Sequence, residues 1–569
     1  MSGQSPMREQ PSSAIIGFRY PIALIVLAIA ALMLAGRMIQ LHIADREFLQ
    51  EQGDNRSVRI DEIPAYRGMI LDRNGEPLAV STPVTTVWAN PKRFNATDAQ
   101  VRKLAEKLSI PYSSLKSKLM WAQENAKGFI YLKRHMIPAD AEEVFDLKLK
   151  GVYAKHEYKR YYPAHEMAAH IVGFTNIDDI GQEGLELAFD EFLTGEIGKK
   201  KILKDRRGLV FRDLQMIQQP EHGKNLELTI DLKLQFMAYR ELKAAVDQHN
   251  AKTGAVVMLD AKTGEVLAMV NQPSFNPNDR SQLDVAATKN RALIDLFEPG
   301  STVKPLTIAA AIASGNYKAD DVINTAPGYM RLGSQTIRDF RNYGDLSMTG
   351  IITKSSNVGV ARIALSMAED TVANFLQQLG LGQSTGSGFP GEGVGTLVIP
   401  RAREKARIAT MAYGYGLSVT SLQLAQAYQV IANKGLKKPV RILKSVEALP
   451  AEQLMPEKMA QAVVEMMETV TLPGGTGTRA KVPGYRVAGK TGTVHKIGSS
   501  GGYDYEYMAV FAGIAPVSDP RIVTIIWVDS PSGQEYHGGE VAAPIFGRIM
   551  GNALRYLNVP PDKIEEEEQ

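Results

Sequence analysis

The chain contains no cysteine, which removes disulfides, thiolate nucleophiles, zinc ribbons and iron–sulfur clusters from consideration. Nor does either charge predominate: 65 basic against 62 acidic side chains leave a formal +3 over 569 residues. That balance is too even for a phosphate-neutralising surface, so no nucleic-acid partner is expected. The 9 histidines form no His-Glu-x-x-His helix or comparable ligand cluster, and neither a metal nor another cofactor is expected. Internal repeats and low-complexity linkers are also missing. With 44% hydrophobic and 22% charged residues, the chain can bury a large interior, and its length suits several domains.

One apolar run stands out. Residues 20–36 carry no charge, and these 17 residues make ~26 Å of helix. Phe18, Met38, Ile39 and Leu41 lengthen it toward the ~30 Å of a bilayer core while Arg19 and Arg37 reach for headgroups. A retained single-span anchor over 20–41 is expected, behind a short cytoplasmic tail, 1–19. A cleaved signal peptide is the alternative, but its small-x-small signature, Ala28-Ile29-Ala30, lies inside the apolar run and not after it. Arg8 and Arg19 on one side against Arg37, Arg46 and Arg56 on the other give no positive-inside bias.

Beyond the anchor, Arg67-Gly68-Met69-Ile70-Leu71-Asp72-Arg73-Asn74-Gly75 reads as a strand entering an Asn-Gly turn. Mixed helix and strand signals continue to about residue 225. Asp231 then caps a helix running to about Gln248. Residues 255–259 and 265–270 predict a hairpin across Asp260-Ala261-Lys262-Thr263-Gly264. Three more strands are predicted over 485–494, 507–515 and 521–529, with helix between the two groups and a last helix over 541–557. The pattern is α/β of the α+β type: a five-stranded antiparallel sheet flanked by helices. Before it lies a region without catalytic signals, 42–225, and after it an acidic tail, 560–569.

Several short patterns imply incompatible chemistries, and context decides between them. Gly484-Tyr485-Arg486-Val487-Ala488-Gly489-Lys490-Thr491 satisfies the phosphate-loop pattern, which needs a helix opening at Lys490; a strand is predicted there. Gly382-Gln383-Ser384-Thr385-Gly386 has the spacing of a nucleophile elbow but runs into the turn residues Gly388-Phe389-Pro390-Gly391. Ser301-Thr302-Val303-Lys304, by contrast, opens a helix-like stretch, and i to i+3 spacing sets a hydroxyl and a titratable amine on one face. A partly desolvated lysine there can lose its charge and act as base toward the serine, which arginine would not. The pattern alone is weak, because Ser113-Ser114-Leu115-Lys116 repeats it without partners. One ordered set survives: Ser301-x-x-Lys304, then Ser355-Ser356-Asn357, then Lys490-Thr491-Gly492-Thr493 on a strand.

That triple resembles the signature of the penicillin-binding and serine β-lactamase superfamily, whose middle element is usually Ser-Asp-Asn. Ser356 departs from it, at a position with no assigned chemistry. The anchor, the Arg67 to Gly75 stretch, Arg160-Tyr161-Tyr162-Pro163, Gly181-x-x-Gly184-Leu185-Glu186 and Glu298-Pro299-Gly300-Ser301 narrow the resemblance to class B, monofunctional penicillin-binding proteins. Tyr413-Gly414-Tyr415-Gly416-Leu417-Ser418-Val419-Thr420 and the overall length favour the division-specific, septal branch.

The resemblance implies a transpeptidase domain over 226–559 on an elongated, mixed α/β pedestal. It implies a D,D-transpeptidase that cross-links peptidoglycan stem peptides through an acyl-enzyme on Ser301. Lys304 would take the serine proton, Ser355 would relay a proton to the leaving amine, and Asn357 would hold Lys304 and the substrate amide. Lys490, Thr491 and Thr493 would grip the substrate carboxylate, with Gly492 bare for the approach of the substrate backbone. The backbone N–H groups of Ser301 and Thr493 would form the oxyanion hole. β-Lactams would acylate Ser301 as substrate mimics. The same resemblance implies a single-pass protein of the bacterial inner membrane with its catalytic domain in the periplasm at the septum. Its implied neighbours are a multispanning glycan polymerase and other division proteins. Two alternatives stay open on sequence: a D-Ala-D-Ala carboxypeptidase or β-lactamase-type hydrolase using the same triple, and a division-complex scaffold with a secondary enzymatic role.

Overall fold

The apolar run forms helix α1 (Ser13–Ile39) in the computed structural model, which describes residues 13–49, 51, 58–204, 210–445, 450–497 and 503–563. Arg8, Arg56 and the acidic residues 565–568 lie outside these. Over Tyr20–Ala44 the mean hydropathy is 2.5 and none of the segment is buried against the rest of the chain. Such a helix is long and apolar enough to cross a bilayer, and its backbone hydrogen bonds are all internal, as hydrocarbon requires.

The chain divides into two units. One takes in the residues up to Ala65 together with Glu196–Glu221. Besides α1 it holds a three-stranded antiparallel sheet in which Gly198–Lys204 lies between Val58–Ile63 and Val210–Gln218. The other unit comprises Tyr66–Gly195 and the chain from His222 onward.

In this second unit β1 (Ile70–Leu71) and β2 (Pro77–Ala89) make the hairpin expected around Asn74-Gly75: Gly75 adopts φ +88, and Asp72 N–H donates to Glu76 O at 2.8 Å. Helices α2 (Asp98–Lys107) and α3 (Tyr112–Glu124) pack Leu104, Leu108, Leu115 and Leu119 against Val87 of β2 and Ile130 and Leu132 of β3 (Ile130–Met136). β2 pairs antiparallel with both β3 and β4 (Val152–Tyr161). Three of the fragments singled out by sequence converge on one carboxylate. Arg67 Nε and Arg160 Nε each lie 2.6 Å from a different oxygen of Glu186, and the three residues are 2%, 5% and 0% exposed. Two guanidinium groups on one carboxylate satisfy charges that burial alone would make prohibitive. β5 (Leu226–Glu227) then adds parallel to β1, so the chain on either side of residue 225 meets in one sheet.

Asp231 caps α4 (Leu232–Gln248), its carboxylate accepting from the N–H groups of Lys233 and Leu234. The five predicted strands follow: β6 (Thr253–Asp260), β7 (Val266–Gln272), β8 (Ala488–Ile497), β9 (Tyr503–Ala515) and β10 (Ile522–Asp529). They form one sheet in the order β7-β6-β10-β9-β8, every neighbouring pair antiparallel. β8 starts at Ala488 and not at Tyr485, because Gly484 turns the chain (φ +79) and the Tyr485 hydroxyl donates instead to Val559 O at 2.6 Å.

Side-chain alternation sorts the strands between two cores. Ala255, Val257 and Leu259 face one; Val256 and Met258 face the other, which is closed by the C-terminal helix Ala542–Tyr556 and α4. Every residue of β10 is buried, which is why its sequence is apolar apart from Thr524 and Asp529 and does not alternate. Each large aliphatic side chain buried there contributes roughly 1.5–3 kcal/mol. Trp527, in this central strand, is 1% exposed, and its Nε1–H donates to Ser421 Oγ at 2.7 Å.

Candidate active site

Ser301 stands on a short, tightly held piece of backbone. Gly300–Val303 is a single 3-10 turn that runs into α5 (Lys304–Ala313). Gly300 adopts φ +53 and its N–H donates to Gly414 O at 3.0 Å. A Cβ on Gly414 would stand 2.1 Å from Gly300 O, so only glycine allows this approach. Thr302 Oγ1 donates to Pro299 O at 2.6 Å, and the buried Tyr428 hydroxyl donates to Thr302 O at 2.7 Å. These bonds fix the main chain on both sides of the half-buried serine. Residues three apart are eclipsed along such a turn, so Ser301 and Lys304 share one side of it.

Lys304 is wholly buried; its Nζ donates to the Ser355 carbonyl and lies 3.0 Å from Ser355 Oγ. Lys490, also wholly buried, reaches the same Oγ from β8 at 3.0 Å and Thr491 O at 3.0 Å. Burial pushes Lys304 well below the ordinary lysine range, the Lys490 charge pushes the same way, and the Asp339 carboxylate opposes them. Burial also brings Lys490 down to about 7. Burial therefore favours the uncharged form of both amines, and between them stands a hydroxyl that can accept from one and donate to the other.

That hydroxyl is set by two helix ends. Ser355, at φ +57, closes α6 (Met348–Lys354), and α7 (Asn357–Ser366) begins two residues later. Asn357 does not hold Lys304 as expected. Asp339 accepts from the N–H groups of Asn357 and Val358 at 2.6 and 3.0 Å, and the Asn357 Nδ2 donates to Arg338 O at 2.9 Å. The start of α7 thus turns the amide toward this neighbouring segment.

Along β8, alternation sends Lys490 and Gly492 to one face and Thr491 and Thr493 to the other. Gly492 also has a neighbour within the fold: a Cβ there would stand 3.1 Å from Thr302 Cγ2, 3.3 Å from Val510 Cβ and 3.4 Å from Pro299 O. Its missing side chain admits the Ser301 turn itself. Thr491 Oγ1 pairs with Thr476 Oγ1 at 2.7 Å, while Thr493 Oγ1 accepts from Gly538 N–H at 3.1 Å. Tyr507, Tyr536 and His537 stack in series beside Thr493, with ring centroids 4.6 and 4.2 Å apart. As the outer strand, β8 leaves one edge of its backbone unused by the sheet, where an extended ligand can pair.

The competing motifs do not form sites. Lys490 is in mid-strand with no helix opening there, Ser384 belongs to a turn held by Glu392, and Lys116 pairs with Asp98 at 2.7 Å on the exposed face of α3. Asp339, Thr476 and His537 have no sequence signal of their own. Gly414 has one, in the alternating Tyr-Gly stretch.

Residues 254–551 match the penicillin-binding protein transpeptidase domain, and residues 62–228 the penicillin-binding protein dimerisation domain. The chain belongs to the penicillin-binding protein transpeptidase family. This penicillin-binding protein is 41% identical over 567 residues to the peptidoglycan D,D-transpeptidase FtsI of Escherichia coli, covering 99% of this chain and 95% of that one. It is 40% identical over 549 residues to the probable peptidoglycan D,D-transpeptidase PbpC of Pseudomonas aeruginosa, covering 96% and 97%. Among solved structures it is similar to the apo transpeptidase domain of penicillin-binding protein 3 from Burkholderia pseudomallei, with TM-score 0.54, 41% identity and coverage of 59% and 98%. It is also similar to penicillin-binding protein 3 from Mycobacterium tuberculosis complexed with aztreonam, with TM-score 0.66, 29% identity and coverage of 88% and 98%.

Proposed function

We propose that the chain is a membrane-anchored peptidoglycan D,D-transpeptidase of the division branch, working through an acyl-enzyme on Ser301. One observation carries the reading: the Ser355 hydroxyl lies 3.0 Å from both Lys304 Nζ and Lys490 Nζ. Similarity over almost the whole length to proteins named peptidoglycan D,D-transpeptidase supports the substrate class.

Neutral Lys304 takes the proton as Ser301 Oγ attacks the carbonyl carbon of the penultimate D-Ala. The Ser301 and Thr493 N–H groups meet the developing oxyanion. Collapse breaks the amide bond, and the departing D-Ala amine receives a proton through Ser355. The amine of a second stem peptide then attacks the ester, returns a proton along the same bridge and frees Ser301. The Thr491 and Thr493 hydroxyls bind the terminal carboxylate at the edge of β8, with charged Lys490 attracting it from the other face of the strand, and the Asn357 Nδ2, with one hydrogen on Arg338 O, uses the other to hold the substrate amide. Gly492 keeps the strand close to the nucleophile.

A β-lactam enters as a substrate mimic, and its ester on Ser301 persists because the site passes acyl groups to amines and not to water. Helix α1 holds the protein in the bacterial inner membrane, with the catalytic domain in the periplasm at the septum. A multispanning glycan polymerase and other division proteins are its partners there. Peptide mapping by mass spectrometry after exposure to a labelled penicillin tests the core of this reading. One adduct is expected on Ser301 and none in Ser301→Ala. An adduct on another residue, or none on the folded protein, would overturn it, and loss of the adduct within minutes would return the hydrolase alternative.

A further inference from the structure

The superfamily usually carries an aspartate between the Ser and Asn of its middle motif. Ser356 stands in that place, yet a carboxylate is present. Asp339, which follows the strand Gln335–Arg338, accepts from Ser356 Oγ at 2.5 Å, Asn357 N–H at 2.6 Å and Val358 N–H at 3.0 Å. Its own N–H donates to Gly328 O at 2.9 Å, which ties it to a separate hairpin. Ser356, fully buried, passes the restraint on by accepting from Gly359 N–H at 2.9 Å. Immediately before this cluster Ser355 is held at φ +57. That left-handed conformation is disfavoured for a non-glycine residue and persists only where the surroundings impose it.

We infer that Asp339 is the positioning residue of the Ser355-Ser356-Asn357 turn: its carboxylate, delivered from another hairpin, stands in for the aspartate missing from the motif and holds Ser355 Oγ between Lys304 and Lys490. The role rests on the transpeptidase reading above. Three donors from consecutive residues meet on one side chain, so the turn cannot swing without breaking all of them. The negative charge also lies at the amino-terminal end of α7, where it is favoured. Lys490 and Asp339 are the charged groups that act on Lys304, and Asp339 is the one that favours its protonated form.

The experiment measures acylation of the purified full-length chain in detergent by a fluorescent penicillin, as a function of pH. Asp339→Asn keeps an acceptor oxygen and removes the charge. Lys304 then gives up its proton more readily, so the acid limb of the profile should move down by about one pH unit. Asp339→Ala should lower the rate ~10- to 100-fold as Ser355 loses its setting. Ser356→Asp alone crowds two carboxylates onto one turn and should lower the rate; in the Asp339→Ala background it returns a carboxylate to the turn and should raise it. Thermal melts set a temperature at which every variant is folded, so that lost stability is not read as lost rate. A wild-type rate in Asp339→Ala, an unshifted profile in Asp339→Asn, or a Ser356→Asp effect of the same sign in both backgrounds would each overturn the role. Failure of the wild-type protein to acylate at Ser301 would sink the transpeptidase reading instead.

Discussion

Lys490 weakens the fold at neutral pH. It is fully buried, and burial brings it from 10.5 to about 7. Between those values the unfolded chain binds a proton that the folded chain does not, so stability rises with pH across the window and gains nothing more from this residue above it. Below about pH 7 both states are protonated and its contribution is flat. Lys490→Met, similar in volume and uncharged, should therefore melt higher than wild type at pH 7 and show a shallower rise toward pH 9. Lys304 keeps part of the slope, since burial shifts it the same way. The same variant should lose ~10- to 100-fold in acylation by a carboxylate-bearing penicillin, the worth of one hydrogen bond to a charged group. Melts at the two pH values and the acylation rate check both halves; a lower melting temperature at pH 7 would contradict the first.

Two glycines set how closely the nucleophile turn meets its neighbours, Gly414 on the side of the Tyr-Gly stretch and Gly492 on the side of β8. At Gly414 a Cβ meets main chain 2.1 Å away, and φ is +87 besides. At Gly492 it meets the Thr302 methyl at 3.1 Å, which can yield by a few tenths of an ångström. Gly414→Ala should thus abolish acylation and lower the melting temperature, whereas Gly492→Ala should fold normally and acylate ~10-fold more slowly. The strands and the Ser301 turn were legible because each leaves a local mark: an apolar run for β10, an Asp cap for α4, Glu-Pro-Gly before the serine. Contacts between elements leave none. Asp339 reaches mainly backbone donors, which every sequence has, so nothing distinguishes it from a surface aspartate. The expectation that Gly492 clears space for substrate follows from its motif, while the room it also leaves within the fold is fixed by how β8 packs on the Ser301 turn. Asn357 departs from expectation for the same reason, through the start of α7.

At the scale of the whole chain, stability away from the catalytic site gathers on Glu186, with Arg67 and Arg160 each at 2.6 Å. Glu186→Gln leaves the buried Arg160 without its counter-ion and Arg67 with Asp190 alone, at 2.7 Å, and should cost about 3–5 kcal/mol. Heat or protease should then attack the region ahead of residue 225 first, while protein still folded at low temperature acylates at the wild-type rate. The chain carries its own means of watching such uncoupling. It has 3 tryptophans. Trp527 is sealed at 1% exposure, Trp121 is 54% exposed, and Trp88 stacks on Tyr153 at 4.6 Å with part of its ring in solvent. Iodide should therefore quench the red-shifted emission of the two accessible indoles and spare the blue emission of the third. Blue, quencher-resistant light that outlasts the red component on warming would time the survival of the central strand after the rest has let go.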